Sequence, residues 1–337
     1  MTWLILRRLA QLPLILLVIY TVTLTLAWSI PGNPLENPEG RRPSPEVAEQ
    51  MLRQYDLDSF PRFYVSYLDR VTGLRALRER MSGDAASRER AAAEAGIEIP
   101  SPPLFDFGPS LQYDDWTVNE IIAGSLPVSI TLGGVAIVIA TLIGVTAGVV
   151  GAIRPNSIAD LATLLIALVG ISLPSFVIGT VLLLVFAVWL PLFPVADWGT
   201  ARSLVLPALT LSLPFAAYIA RLTRFGMIEA MQSDYVRTAR AKGAGEWRVL
   251  FKHALRNAII PVVSLAAVQM GFMLGGSIVV ESIFALHGAG YLAWESIGRN
   301  DLPTVQALIL VFSMFYIVFT FLSDVLNAWL DPRMRVA

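Results

Sequence analysis

Cysteine is absent from this 337-residue chain, and histidine occurs only at His253 and His287. The first absence excludes a disulfide framework, thiolate chemistry and cysteine metal sites, and two histidines are too few for a histidine-rich metal site. No Gly-x4-Gly-Lys-Ser/Thr loop occurs, so no stretch cradles nucleotide phosphates by that route. A nucleophile beside a base, a carboxylate pair or a metal-ligand cluster does not emerge either, which argues against an enzyme. Charge is also scarce, at 15% of residues. It is missing altogether from Leu9 to Leu35, Ile121 to Ile153, Leu161 to Ala196, Ser203 to Ala220, Asn257 to Val280 and Leu302 to Ser323.

What is there instead is apolar: 55% of residues, with a mean hydropathy of +0.63, collected into those windows. A helix needs about 20 residues to cross the hydrocarbon core, and a central Arg or Asp would cost roughly 2.5 to 3.5 kcal/mol. The windows therefore predict an all-α integral membrane protein with six transmembrane helices. Ser203 to Ala220 is short and holds Pro207 and Pro214. It is kept as a span because dropping it would put a basic segment and an acidic one on the same side.

Arg7 and Arg8 place the N-terminus in the cytosol, and six crossings return Arg333 and Arg335 there, so both termini are expected inside. A retained signal anchor fits Leu9 to Leu26 better than a cleaved signal at Ala27, Trp28, Ser29. The expected organisation is an N-terminal transmembrane helix (1–35), an extracytoplasmic loop (36–124) with an insert at about 74–103, a five-helix core (125–330) and a cytosolic tail (331–337). In the loop, Pro31, Gly32, Asn33, Pro34 stop the first helix, and short helices are expected from Pro45 to Tyr55 and from Phe60 to Thr72. Leu74 to Ala95 is Arg, Glu and Ala with almost no large apolar residue, which reads as a solvated helix or a mobile insert. Phe105, Phe107, Tyr113 and Trp116 return the chain to the membrane surface, as an interface belt or a binding face.

Between the fourth and fifth windows lies a basic loop, 221–256, carrying Arg221, Arg224, Arg237, Arg240, Lys242, Arg248, Lys252 and Arg256 against Glu229, Asp234 and Glu246. Its charge places it in the cytosol. Ile228, Met231, Tyr235, Val236 and Ala239 repeat at helical spacing before Gly243, and Trp247, Leu250, Phe251, Ala254, Leu255, Ala258 and Ile259 do so after it. Two amphipathic helices meeting at a glycine turn are expected.

The run Tyr235 to Gly243, followed by Lys252 to Ala258 and Pro261, resembles the EAA loop of inner-membrane permease subunits of bacterial ATP-binding-cassette importers for dipeptides and oligopeptides, in the first-permease branch. Pro31 to Pro34, Asp106 to Ser110, Ser125 to Gly133, Glu281 to Phe284 and Asp331 to Arg333 match that family in the same order. Arg237 stands where the family's naming glutamate falls, and His287, Gly288, Ala289, Gly290 where Pro-Gly-x-Gly is common. Residues from Leu74 to Pro103 look additional.

The resemblance implies a type I importer permease core in the bacterial inner (cytoplasmic) membrane that binds no cofactor itself. ATP and Mg would sit on two partner ATPase subunits; a second homologous permease and an extracytoplasmic solute-binding protein complete the assembly, with membrane lipid as a further contact and no nucleic acid. It makes Arg237, Thr238, Ala239, Arg240, Ala241, Lys242, Gly243 and Ala244 the ATPase-coupling element, with Ala239 and Ala241 permitting close approach. Read from the residues alone, the flanking basic side chains meet lipid headgroups at least as readily. Gly271, Gly275, Ser277 and Glu281 are candidates for path lining or helix packing, and packing accounts for the glycines better. Glu281 and Asp324 read as interface or interhelical partners, and His287 as a surface residue. An ion-coupled transporter is the alternative, but the charge-free spans hold no carboxylate for it; a channel subunit is another. The substrate, whether peptide, nickel chelate, glutathione or sugar, is not written in these residues.

Overall fold

The computed structural model describes residues 2–29, 52–53, 56–82, 103–113 and 116–330. The Pro31 to Pro34 stop, most of the Pro45 to Tyr55 helix, the insert beyond residue 82 and the tail with Asp331, Pro332, Arg333 and Arg335 lie outside the described residues. Within them the chain is helical, apart from turns and an isolated antiparallel bridge between Pro109 and Thr117. In order come α1 (Thr2–Trp28), α2 (Phe60–Val71), α3 (Leu74–Ser82), α4 (Val118–Ile153), α5 (Ile158–Ser172) and α6 (Ser175–Leu183), which runs on into a π-helical end, Leu184–Trp189. Then follow α7 (Ala201–Gln232), α8 (Asp234–Ala241), α9 (Glu246–Ala258), α10 (Ile260–Gly276), α11 (Ile278–Ile283), α12 (Ala289–Gly298) and α13 (Leu302–Leu330).

Stretches of α1, α4, α7 and α13 are long and apolar enough to cross a membrane singly, and the count reaches 6 if two bent pairs each make one span. The charge-free window from Leu161 to Ala196 is not one straight helix: α5 and the segment Ser175–Trp189 meet at 105°. The cause is Pro174, which has no N–H to donate and pushes Leu173 out of the helical region, to φ −87 and ψ 129. The second pair, α9 and α10, bends by 48° just before Pro261, which occupies the first turn of α10 where its missing N–H costs nothing.

The chain forms two compact units, interleaved along the sequence: Met1–Leu16, Ser125–Leu292 and Phe312–Ala337 in the first, Leu17–Gly124 and Ala293–Val311 in the second. In the first unit, Val128, Leu132 and Ala136 of α4 pack with Leu206, Ala208 and Leu211 of α7, Met273 of α10, and Val280, Phe284 and Leu286. Glycines let the helix backbones approach. A Cβ at Gly144 would stand 2.7 Å from the Ala216 carbonyl and one at Gly148 2.6 Å from the Ala220 carbonyl, both on α7. Backbone cannot give way as a side-chain tip can, so Gly148→Leu is expected to cost at least the ~1–3 kcal/mol of overpacking. A shortened half-life of the purified chain at elevated temperature, with Gly275→Ala as the tolerated control, checks this.

The second unit is held by an aromatic group: Tyr20 and Leu24 of α1, Phe63 and Tyr67 of α2, and Leu310 of α13. Each buried polar tip finds a partner, Tyr20 donating to the Tyr64 carbonyl at 2.6 Å and Tyr67 to the Pro303 carbonyl at 3.0 Å. Asp301, fully buried, accepts from the Ser110 hydroxyl at 2.5 Å and the Thr304 hydroxyl at 2.8 Å, and so ties the Asp106 to Ser110 stretch to the start of α13. Burial raises the Asp301 carboxyl above the usual carboxylate range, against the pull of those two hydroxyls. Tyr113 is pushed up to about 12 by burial and by Glu295, while Arg299 covers its ring at 5.1 Å. Phe105 and Trp116 remain exposed.

Candidate functional site

The basic loop begins where α7 ends. Ser233, with φ −71 and ψ 155, breaks the helix that the spacing of Ile228 to Ala239 predicts as continuous. Its hydroxyl donates to the Ala230 carbonyl at 2.5 Å, and the same residue precedes α8. Asp234 in the first turn of α8 and Arg240 in the last complement the helix dipole.

Gly243 closes α8 in the left-handed region, at φ +78. The Gly243 N–H bonds the Arg240 carbonyl at 2.9 Å and the Ala244 N–H the Ala239 carbonyl at 3.1 Å. This is the Schellman pattern, with Ala244 packed back toward Ala239. Val236, Ala239 and Val249 form a small core of the loop itself, joined by Met231. Ala239 therefore faces inward, as its place in the helical repeat with Val236 implied, and not outward beside Ala241 as the coupling reading had it. The exposed face is Tyr235, Arg237, Thr238, Arg240, Ala241, Lys242 and Gly243.

The charges divide by partner. Arg240 reaches across the glycine turn to Glu246 with two hydrogen bonds, 2.9 and 3.1 Å, and this pairing raises the guanidinium above its ordinary value. Both groups are exposed, so water screens the brace and its contribution is small. Arg237 is 3.4 Å from Asp234. Arg224 does not belong to the exposed set: it holds the buried Asp160 of α5 at 2.5 and 2.7 Å, and Asp160 also accepts from the Asn156 N–H at 2.8 Å. That pair joins residues 64 apart in sequence.

Along α9 the expected apolar face is split. Leu250, Ala254 and Ala258 are buried with Val149, Ala152, Met227 and Ala230. Trp247 and Phe251 point away from them and stack on each other, centroids 5.5 Å apart at 5°. The reason is the π-helical segment Val249–Leu255, whose wider turn moves the burial period off the 3.6-residue spacing.

Glu281 lies in α11, fully buried, where a charge-bearing span edge was expected. Its carboxyl accepts from the Ser129 hydroxyl of α4 at 2.6 Å, the Ser277 hydroxyl at 2.7 Å and the Tyr291 N–H at 2.8 Å. Ser129 in turn accepts from the Ala289 N–H at 2.8 Å. The turn His287 to Gly290 thus wraps around the Glu281 carboxyl. A Cβ at Gly288 would meet the Glu281 carboxyl at 2.5 Å, and one at Gly290 would meet it at 3.0 Å. Gly288 and Gly290 are therefore the positions of this turn with no room for a side chain; His287 is exposed and rests edge-on against Tyr291.

Of the other candidates, Gly271 packs on Tyr316 of α13, where a Cβ would stand 3.0 Å from the Tyr316 Cα, whereas Gly275 has open space. Ser277 is buried. Asp324 lies 2.8 Å from Arg8.

Residues 124–336 match the model of the family described as binding-protein-dependent transport system inner membrane component. The chain is 36% identical over 322 residues to the dipeptide transport system permease protein DppB of Bacillus subtilis, covering 95% of this chain and 94% of that one. It is 40% identical over 232 residues to the oligopeptide transport system permease protein OppB of Haemophilus influenzae, covering 68% and 76%. Among solved structures, an inward-facing form of the MetNI methionine ABC transporter aligns with a TM-score of 0.54 at 16% identity, over 63% of this chain and 97% of that one, a likeness of fold. An ion-coupled transporter or a channel has no support among these relatives. With the helical membrane fold and the glycine-closed basic loop, they show that this chain belongs to the inner membrane component family of binding-protein-dependent transport systems.

Proposed function

We propose that this chain forms half of a peptide translocation path and that the exposed face of α8 and its turn receives the push of a separate ATPase. The peptide assignment rests on relatives named as dipeptide and oligopeptide permeases. The observation that carries the coupling role is the construction of the tip. A Schellman-closed helix, packed from below by Val236, Ala239 and Val249 and braced by Arg240 to Glu246, presents small and basic groups on a stiff support. In this reading Arg237, Thr238, Ala241, Lys242 and Gly243 meet the ATPase, while Ala239 and Ala244 keep the tip in shape. ATP and Mg belong to two partner ATPase subunits. A second permease of the same family completes the path, a solute-binding protein delivers the peptide from outside, and both termini face the cytosol. Closure of the ATPase pair shifts the population between outward and inward cavities.

Ala241→Trp tests this, because residue 241 is exposed and the added bulk leaves the loop's core alone. Peptide uptake and substrate-stimulated ATP hydrolysis by the complete transporter are expected to fall at least about tenfold, the effect of losing ~1.4 kcal/mol of docking, with the chain still in the membrane. Unchanged uptake overturns the coupling role. Ala239→Asp abolishes uptake for a different reason, since it buries a charge in the loop's own core.

A further inference from the structure

Helix α9 carries side chains that its own packing leaves uncovered, and they form two rows. Trp247 (74% exposed) and Phe251 (49% exposed) make the aromatic row. Arg248, Lys252 and Arg256, all exposed, make a basic row one position further on. In an ordinary α-helix, side chains four apart drift around the axis by about 40° per step, because a turn takes 3.6 residues. The π-helical Val249–Leu255 takes more residues per turn and drifts the other way, so the two offset along α9 and both rows keep to its exposed side.

This face leads directly into the membrane. Ile260 opens the apolar α10, and α9 meets it at 48°. With α10 along the membrane normal, a helix at that slope descends roughly 1 Å per residue, which puts Arg256, Lys252 and Arg248 about 4, 8 and 12 Å below Ile260. The first falls within the polar headgroup layer, which is about 5–7.5 Å deep, the second lies at its edge, and the third stands within one Debye length of it. The acid nearest the rows in sequence, Glu246, is taken up by Arg240. The proposed ATPase face is on a different helix, α8.

We propose that these rows of α9 are a binding surface for anionic phospholipid headgroups of the leaflet on the side of the basic loop, the arginines and lysine meeting phosphates and the stacked rings lying among the headgroups. The inference needs only that α10 spans the membrane. It does not depend on the peptide or coupling assignments, and Ala241→Trp leaves it untouched.

The test uses the full chain in phosphatidylcholine vesicles with and without phosphatidylglycerol. Native mass spectrometry of chain released from the vesicles compares retained phosphatidylglycerol with phosphatidylcholine for the wild type and for Arg248→Gln/Lys252→Gln/Arg256→Gln. The preference for the anionic lipid is expected to drop about fivefold for each charge removed at low salt, and to weaken as salt rises. Arg248→Lys/Arg256→Lys keeps the charge and is expected to keep the preference. The emission lost in Trp247→Phe is expected to be quenched by phosphatidylglycerol with brominated chains. Equal retention by wild type and triple variant overturns the proposal. So does a Trp247 emission insensitive to brominated lipid but altered by an added ATPase subunit, which would assign the face to protein.

Discussion

Glu281→Ala is expected to destabilise the chain by about 3 kcal/mol, through a cavity and an orphaned, part-buried Tyr291 N–H, while Glu281→Gln costs only about 1 kcal/mol. The asymmetry follows from the donors around the carboxyl. A glutamine can turn its oxygen to the Tyr291 N–H and its amide toward the Ser129 and Ser277 oxygens; both hydroxyl protons lose this acceptor, but that of Ser277 has the Leu274 carbonyl at 2.9 Å, so only that of Ser129 is stranded. Alanine leaves the N–H with nothing. Removing the carboxyl also removes a buried polar group, but the present site already satisfies it with three donors, so the loss of partners and packing wins. The double variant sharpens the test. Gly288→Ala alone drives a methyl against the Glu281 carboxyl, but in the Glu281→Ala background the same methyl fills the vacated space. The combined cost should fall clearly below the sum, by about 1 kcal/mol or more. Unfolding half-lives of the four proteins decide it, and additive costs would mean the turn does not wrap Glu281 in the membrane.

Arg224→Ala is expected to cost about 3–5 kcal/mol, because it leaves the Asp160 carboxylate buried without its cation. Asp160 is 2% exposed and Arg224 22%, so screening by water does little for the stranded charge. Arg224→Lys restores charge but not the two-pronged hydrogen bonding, and should recover only part of the loss. Asp160→Ala/Arg224→Ala, which removes both charges, is expected to be more stable than Arg224→Ala. The same half-life measurement, arranged as a double-mutant cycle, reads the coupling directly. If Arg224→Ala proves harmless, Asp160 has access to water in the folded chain.

The elements that composition governs were legible in the sequence. Charges are excluded from the hydrocarbon layer, so their absence marked the spans. Gly243 announced a left-handed turn because few other residues adopt φ +78 without strain. Helix α2 runs Phe60–Val71 against an expectation of Phe60 to Thr72. What was missed turns on local competition or on distance. Ser233 followed by Asp234 is a helix-start signal, and it interrupts a hydrophobic repeat that otherwise reads through. The outward turn of Trp247 and Phe251 depends on a π-helical register that no periodicity count anticipates. Arg224 looked like one more surface cation, and nothing near it names Asp160. Glu281 was legible as an interhelical partner, but the wrapping by Gly288 and Gly290 needs the backbone path.

The break at Ser233 and the small core of Val236, Ala239 and Val249 together give the basic loop a direction. The tip is jointed toward α7, where an extended residue interrupts the helix, and welded toward α9, where Arg240 and Glu246 clasp and the alanine and valines interlock. In the proposed coupling role, a load on Ala241 and Lys242 would travel as along a cranked rod into α9 and, through the 48° elbow, into α10, with α10 as the driven member and α7 as the post on which the crank turns.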